Sequence, residues 1–355
     1  MTKPNNMRTL LSFLLLLSIT AIKATIIQVN NNAGADADYA LLQDAIDNAS
    51  FGDTLYLAGS PNYYDGISST IRLNKRLTLI GPGYFLGENL GLANNETAKL
   101  NKLIVGTGAD GSKIMGLDMT RNYSSTVTSS GISNLDASGS STSTAPSNIT
   151  FERNIFYNMF IKGTGHLIQK NYLRALTIEN VTSNTIIQNN IFSHGIGDGT
   201  SFTYSYTGLI FQNNIINDIT DMNGAEIINN IFVNESQIID CDNAQIKNNV
   251  FTSAESSAIT SSSTGNTIQD NVFNESTATL FIDSSPGIDA DYELNGFSAA
   301  KGAGFNGVDA GAYGGPAPYI ISGIPPIPSI TELTTSGTGT TSGGLEVRIR
   351  AKANQ

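Results

Sequence analysis

The 355-residue chain has no tryptophan, one cysteine, two histidines and little charge, with 14% of its residues Asp, Glu, Lys or Arg. Each shortage excludes something. Cys241 alone cannot build a disulfide framework. His166 and His194 with a single thiol do not make a structural zinc site. Nineteen basic residues against 30 acidic ones leave a net charge of -11, the wrong sign for a nucleic-acid binder, which must meet phosphates with a basic patch. Yet 40% of the chain is hydrophobic, too much for a disordered acidic polymer.

The first 24 residues carry Lys3 and Arg8, then the apolar run from Leu10 to Ile19, then Ile22-Lys23-Ala24. This order of basic, apolar and small residues is that of a secretory signal peptide. The run is far shorter than the roughly 20 residues a membrane helix needs. Its removal leaves 16 basic against 30 acidic residues, a charge of -14. The mature chain is expected to be extracellular or on the cell surface, with no transmembrane segment.

What the sequence does have is repetition. Phe151-Glu152-Arg153-Asn154-Ile155-Phe156 recurs as Ile168-Gln169-Lys170-Asn171-Tyr172-Leu173 and Ile187-Gln188-Asn189-Asn190-Ile191-Phe192. The fixed Asn returns at 214, 230, 249 and 271, with gaps between successive copies of 16 to 24 residues. Ile or Phe always stands three residues before it, and two apolar residues always follow it. A period near 20 admits leucine-rich repeats or parallel β-helices. The apolar positions are mostly Ile, Val and Phe, which favour strands, and no segment between the Asn positions has a helical pattern. Variable gaps suit coils whose turns absorb insertions. The expectation is an all-β, right-handed parallel β-helix. Its repeating Asn should take the left-handed turn conformation and stack into a ladder at about 4.8 Å.

The Asn-Ile-Phe coils, the phrase Leu42-Gln43-Asp44-Ala45-Ile46 leading to Gly52-Asp53-Thr54-Leu55-Tyr56-Leu57, and the segment from Gly307 to Gly315 together resemble the secreted parallel β-helix proteins of pectin-lyase-like fold. The resemblance covers most of the mature chain. It implies an exposed parallel sheet on which relatives that cut acidic polysaccharides place a basic residue and calcium-binding carboxylates. The polygalacturonase-like Gly-His-Gly is altered here to Gly165-His166-Leu167, and the paired-Asp motif is missing.

The predicted organisation is a signal peptide at 1–24, a β-helix over 25–315, a Pro-rich connector at 316–329 and a C-terminal β-hairpin at 330–355. Residues 38–49 should form an amphipathic helix that plugs the open first coil, capped by Asp36 or Asp38. Residues 284–315 should close the far end.

Counting nine residues back from each repeating Asn puts Asp221 and Asp240 at the same offset on adjacent coils. Two carboxylates about 5 Å apart can share a proton or bind a hard cation such as Ca²⁺. Asp221, Asp240 and His194, which opens a Gly-rich segment, are the candidate catalytic residues. Glu179, Asp242, Tyr204 and Tyr206 are candidate ligand contacts, with the tyrosines as outward aromatics for a sugar ring. Three functions fit: a non-catalytic solenoid that binds glycan or another surface ligand, a polysaccharide lyase or hydrolase on the Asp face, or a structural or adhesive surface component.

Overall fold

The computed structural model describes residues 24–89, 91–120, 131–132, 145–179, 183–198, 205–233, 237–283 and 287–354. Residues 1–23 of the expected leader and residues 199–204, which include Tyr204, lie outside the described residues. Among the described residues no helix is long and apolar enough to cross a membrane.

The chain is an all-β parallel solenoid of about nine turns. One eleven-stranded parallel sheet starts with Ile26–Val29, Thr54–Leu57 and Thr78–Ile80 and ends with Glu226–Ile228, Gln245–Lys247 and Thr267–Gln269. In each coil its central residue points inward. Leu55, Leu79, Ile114, Phe151, Ile168, Ile187, Phe211, Ile227 and Ile246 are all fully buried and paired in register from coil to coil. A second eleven-stranded sheet begins after each repeating Asn. It buries a column that includes Phe192, Phe232 and Phe251. Phe232 and Phe251 stack with centroids 4.8 Å apart, and Phe251 and Phe273 at 5.0 Å.

The Asn ladder is present, but its mechanism differs from the expected one. The left-handed residue is the one before each ladder Asn: Arg153, Lys170, Asn189, Asn213, Asn229, Asn248 and Asp270 have φ between 52° and 58°. The ladder Asn then points inward, where its carbonyl oxygen accepts the backbone N–H of the ladder Asn one coil earlier. These bonds run from Asn154 to Asn171, Asn171 to Asn190, Asn190 to Asn214, Asn214 to Asn230, Asn230 to Asn249 and Asn249 to Asn271, at 2.8–3.0 Å. Its NH₂ donates to a core-strand carbonyl of the preceding coil, as Asn190 does to Ile168 at 2.9 Å. The amide therefore satisfies the backbone groups that a sharp, buried bend would orphan.

The helix forms over Leu42–Asn48 and buries Leu42, Ala45 and Ile46 at the first coil. Its cap is Asp65, whose carboxylate accepts from the N–H groups of Leu42 and Gln43 at 2.8 and 3.2 Å. Asp38 instead accepts from Gln28 N–H at 2.7 Å, beside the first strand.

Residues 305–315, part of the 284–315 segment expected to close the far end, continue into 316–324 and do not close it. They run back along the side of the solenoid as a strap, toward the first coils. Asn229 carbonyl oxygens hold Phe305 N–H and Gly311 N–H at 2.8 Å each. Asn213 donates to Asp309 O, and Asn189 donates to Ala312 O and Gly314 O at 2.8–3.1 Å. Further back, Arg153 donates to Ile324 O at 2.5 Å and Tyr84 N–H to Ser322 O at 2.8 Å. The left-handed Asn thus serves both as turn residue and as cleat. Gly311 lies so close that a β-carbon would sit 2.5 Å from Ile231 Cδ1. The Pro-rich stretch is accordingly docked chain rather than a free spacer, with Ser322, Gly323, Ile324 and Pro325 buried. The hairpin does form, Ser329–Thr335 antiparallel to Val347–Lys352.

His166 is buried. Its Nδ1 accepts from Ile149 N–H at 3.3 Å and its Nε2 lies 3.1 Å from Lys162 O, which fixes a neutral ring. Burial lowers its pKa to about 4. The unfolded chain therefore takes up a proton near pH 6.5 that the folded chain refuses until about pH 4. Stability should fall by about 3 kcal/mol as pH drops through that window. Urea titrations of His166→Gln should lose this contribution to the slope between pH 6.5 and 4; an unchanged slope would contradict it.

Candidate functional site

The second sheet carries the outward residues that the sequence pointed to. Its strands pair so that Thr177, Gly197, Thr220 and Ile239 form one row. The next residues, Ile178, Asp198, Asp221 and Asp240, therefore occupy one turn column, and Asp221 N–H bonds Ile239 O at 3.0 Å. Asp221 and Asp240 do stack on adjacent coils. Both have left-handed φ, 61° and 50°, so both are also turn residues. Register adds Asp198 one coil earlier. Counting back from Asn214 missed it because the insertion after Asp198 shifts the offset to Ser205.

The other candidates are dispersed. Glu179 pairs with Lys162 at 3.5 Å. Asp242 accepts from the N–H and hydroxyl of Thr264 at 2.6 and 2.7 Å, which lowers its pKa and engages it in a turn. Tyr206 is not an outward aromatic: it is buried, with its hydroxyl 3.4 Å from Ile178 O. A wide coil has room for a core tyrosine, so the Tyr-x-Tyr alternation was misleading there. Cys241 is buried behind the column, and burial pushes its thiol up to about 12. It is not a nucleophile at neutral pH.

Among the described residues no group of three or more His, Cys, Asp and Glu side chains is placed to hold a metal. Ca²⁺ takes six to eight oxygen ligands. Asp221 and Asp240 alone do not fit that need.

His194 lies at a bulge. Between the paired positions Leu173/Phe192 and Leu176/Ile196, one coil has Arg174 and Ala175, while the next has Ser193, His194 and Gly195. The extra residue projects His194 outward, where it is exposed, with Nδ1 3.5 Å from Ser193 Oγ. Beyond the bulge the chain enters a strand, Ile196–Asp198, rather than a loop. A β-carbon at Gly195 would lie 1.9 Å from Asp218 Oδ1, so a larger residue there would displace the Asp218 carboxylate.

These coils bring His194 together with residues that sequence reasoning did not select. Tyr157 and Asn158, Arg174, His194, and Asn217 with Asp218 occupy matching outward positions on four successive coils. The Arg174 guanidinium lies 4.8 Å from the Tyr157 ring centroid and donates to Asn158 Oδ1 at 3.2 Å. Asn217 donates to Ser193 O at 3.0 Å. The ribbon thus offers an oriented cation, an aromatic edge, an imidazole and a carboxylate at strand spacing. The available signal was a count forward from each repeating Asn, three and four places on, rather than nine places back from the next one.

A cleft of about 550 Å³ lies elsewhere, where the strap meets the hairpin, lined by residues including Tyr313, Tyr319, Ile324, Lys352 and Asn354. None of the candidate residues lines it. No protein-family model matches the chain, and no curated protein matches it significantly. The class defined by the fold is that of parallel β-solenoids.

Proposed function

We propose that the protein is an exported solenoid that binds an extended glycan across the outward ribbon of its second sheet, without cleaving it. The observation that carries this reading is Arg174, which is held in place by Tyr157 and Asn158 before any ligand arrives. Pre-organised polar groups at a regular spacing along several coils suit a linear polymer, because each coil can meet a further part of it. The guanidinium can donate two hydrogen bonds to hydroxyls or a carboxylate, and Asn217 and His194 extend the line. A lone cation in an acidic chain favours neutral or sparsely charged glycans over dense polyanions, which the net charge repels.

A glycan array with the secreted chain tests this. Arg174→Ala should weaken binding to its best ligand at least ten-fold, with the unfolding midpoint unchanged. Binding unaffected by that change would sink the ribbon assignment. The stacked turn positions of Asp221 and Asp240 support a second reading, a lyase or hydrolase on the acidic face. That reading requires new reducing ends or unsaturated product from uronate polymers, and loss of product in the double variant Asp221→Asn/Asp240→Asn.

A further inference from the structure

The two ends of the solenoid are finished differently. At the first coil, Tyr39 N–H bonds Gln28 O, Asn30 N–H bonds Tyr39 O, and the helix covers the core. At the last coil, Thr267–Gln269 has no strand on its far side among the described residues. All three of its residues are exposed. Ile268 continues the column of Ile227 and Ile246, which are fully buried, yet it is 41% exposed. Phe273 ends the aromatic column only partly buried. An edge strand with an apolar row behind it is a template for pairing with another chain.

The C-terminal hairpin has the complementary shape. Its cross-strand pairs sort into two faces. Ile330/Ala351, Leu333/Ile349 and Thr335/Val347 form one face, while Ser329/Lys352, Glu332/Arg350 and Thr334/Arg348 form the other. Glu332 bridges Arg348 and Arg350 at 3.5 and 3.0 Å on the charged face. On the apolar face Val347 and Ile349 are 48% and 59% exposed. An isolated two-stranded hairpin is marginal in water, and this one leaves its apolar face open.

The hairpin cannot cover its own far edge in this arrangement. Ile330 O accepts from Ala93 N–H at 3.1 Å, and Ile330 and Leu333 flank a cleft with Tyr56 and Ala58 of the second strand. Nine strand spacings separate that strand from Thr267–Gln269, about 43 Å. The strap between them is tied down at Asn229, Asn213, Asn189, Arg153 and Tyr84.

We propose that the occupant of the far edge is the C-terminal hairpin of a second copy of this chain. The Val347–Lys352 strand pairs with Thr267–Gln269, its apolar face lies over Ile268 and Phe273, and the contact repeats head to tail. Charge supports this choice. Residues 237–283 hold six carboxylates against Lys247 alone, while the hairpin strands and the residues between them carry three basic residues against two acidic ones. The contact is heterologous, since the two patches differ, so it builds open chains rather than closed dimers. It is independent of what the ribbon binds.

Sedimentation of the secreted chain from 1 to 100 µM tests the proposal. The native chain should show mass rising with concentration beyond a dimer, and rising less at 0.5 M salt. Val347→Lys/Ile349→Lys and, separately, Ile268→Lys should each weaken assembly at least ten-fold. Thr267→Lys/Gln269→Lys gives the same test at exposed positions outside the buried column, by setting like charges against Arg348, Arg350 and Lys352. The decisive sample is an equimolar mixture of a hairpin variant and an edge variant. Each retains one intact patch, so the mixture should form a dimer and stop there. A monomeric native chain, a mixture that stays monomeric, or an edge variant that assembles like the native chain would overturn the proposal.

Discussion

Asn214→Ala is expected to destabilise the solenoid by about 2–4 kcal/mol, read as a shift in the urea midpoint at unchanged slope. Asn214 stands in the middle of the ladder and is fully buried. Its Oδ1 accepts from the backbone N–H and the side-chain NH₂ of Asn190, both at 3.0 Å. Its own NH₂ donates to Ile187 O, Gln212 O and Asn230 Oδ1 at 2.8–3.0 Å. Alanine leaves the Asn190 N–H buried with no acceptor, and each such orphan costs about 1–3 kcal/mol. Asn214→Asp keeps the shape and the acceptor but removes the donor, and it places a carboxylate beside Asn230 Oδ1. It should be no milder than alanine. The matching change at the end of the ladder, Asn271→Ala, should cost less than half as much. Asn271 is only partly buried, so water can take over its bonds to Asn249 N–H and Ile246 O. Equal effects at 214 and 271 would mean that the ladder is not what closes the bends.

Asp289→Ala is expected to release the strap while leaving the coils folded. The Asp289 carboxyl is buried and accepts from Tyr319 OH at 3.1 Å, Ser322 N–H at 2.5 Å and Ala290 N–H at 3.0 Å. Its backbone carbonyl accepts from Tyr313 OH at 2.7 Å. Tyr319 in turn bonds Tyr84 of the early coils. Burial, with Asp289 nearby, holds the hydroxyls of Tyr84 and Tyr319 far above the usual tyrosine pKa, so both stay protonated as donors. Alanine strands the Ser322 N–H and the tyrosine pair in an apolar wall, a loss of about 3–5 kcal/mol localised to the strap. Hydrogen exchange should show residues 305–324 losing protection at least a hundred-fold, with the Phe211, Ile227 and Ile246 strands unchanged. A uniform loss across all coils would instead make the strap inseparable from the solenoid core.

The solenoid was legible because a coil repeats its physics. Ile or Phe three places before Asn and the apolar residue two places after it face inward through most coils, while the residue directly after it, as at Ile191, Ile215 and Ile231, is buried under the strap instead. The left-handed residue was misplaced by one position, because Asn tolerates both tasks and the doublets Asn189-Asn190, Asn213-Asn214 and Asn229-Asn230 hide the distinction. Arg153 and Lys170, left-handed residues that are not Asn, were the available clue. The strap was illegible for a different reason. Its hydrogen bonds to the coils join residues from 76 to about 238 positions apart, and no local pattern encodes them. At the candidate site, the stacking of Asp221 on Asp240 followed from counting, since both coils are short. Asp198 and the ribbon of Arg174 and His194 did not, because the inserted residues after Asp198 and the bulge at His194 break the count. The inward turn of Tyr206 is a tertiary choice of the same wide coil.

The most direct test of the functional account is a hydrogen-exchange footprint of the native chain with the glycan that binds it best. The account predicts added protection in the segments around Tyr157–Asn158, Arg174, Ser193–Gly195 and Asn217–Asp218, with the first sheet unchanged. Protection confined to the first sheet, at Gln169, Gln188 and Gln212, or no glycan-dependent protection anywhere, would contradict it.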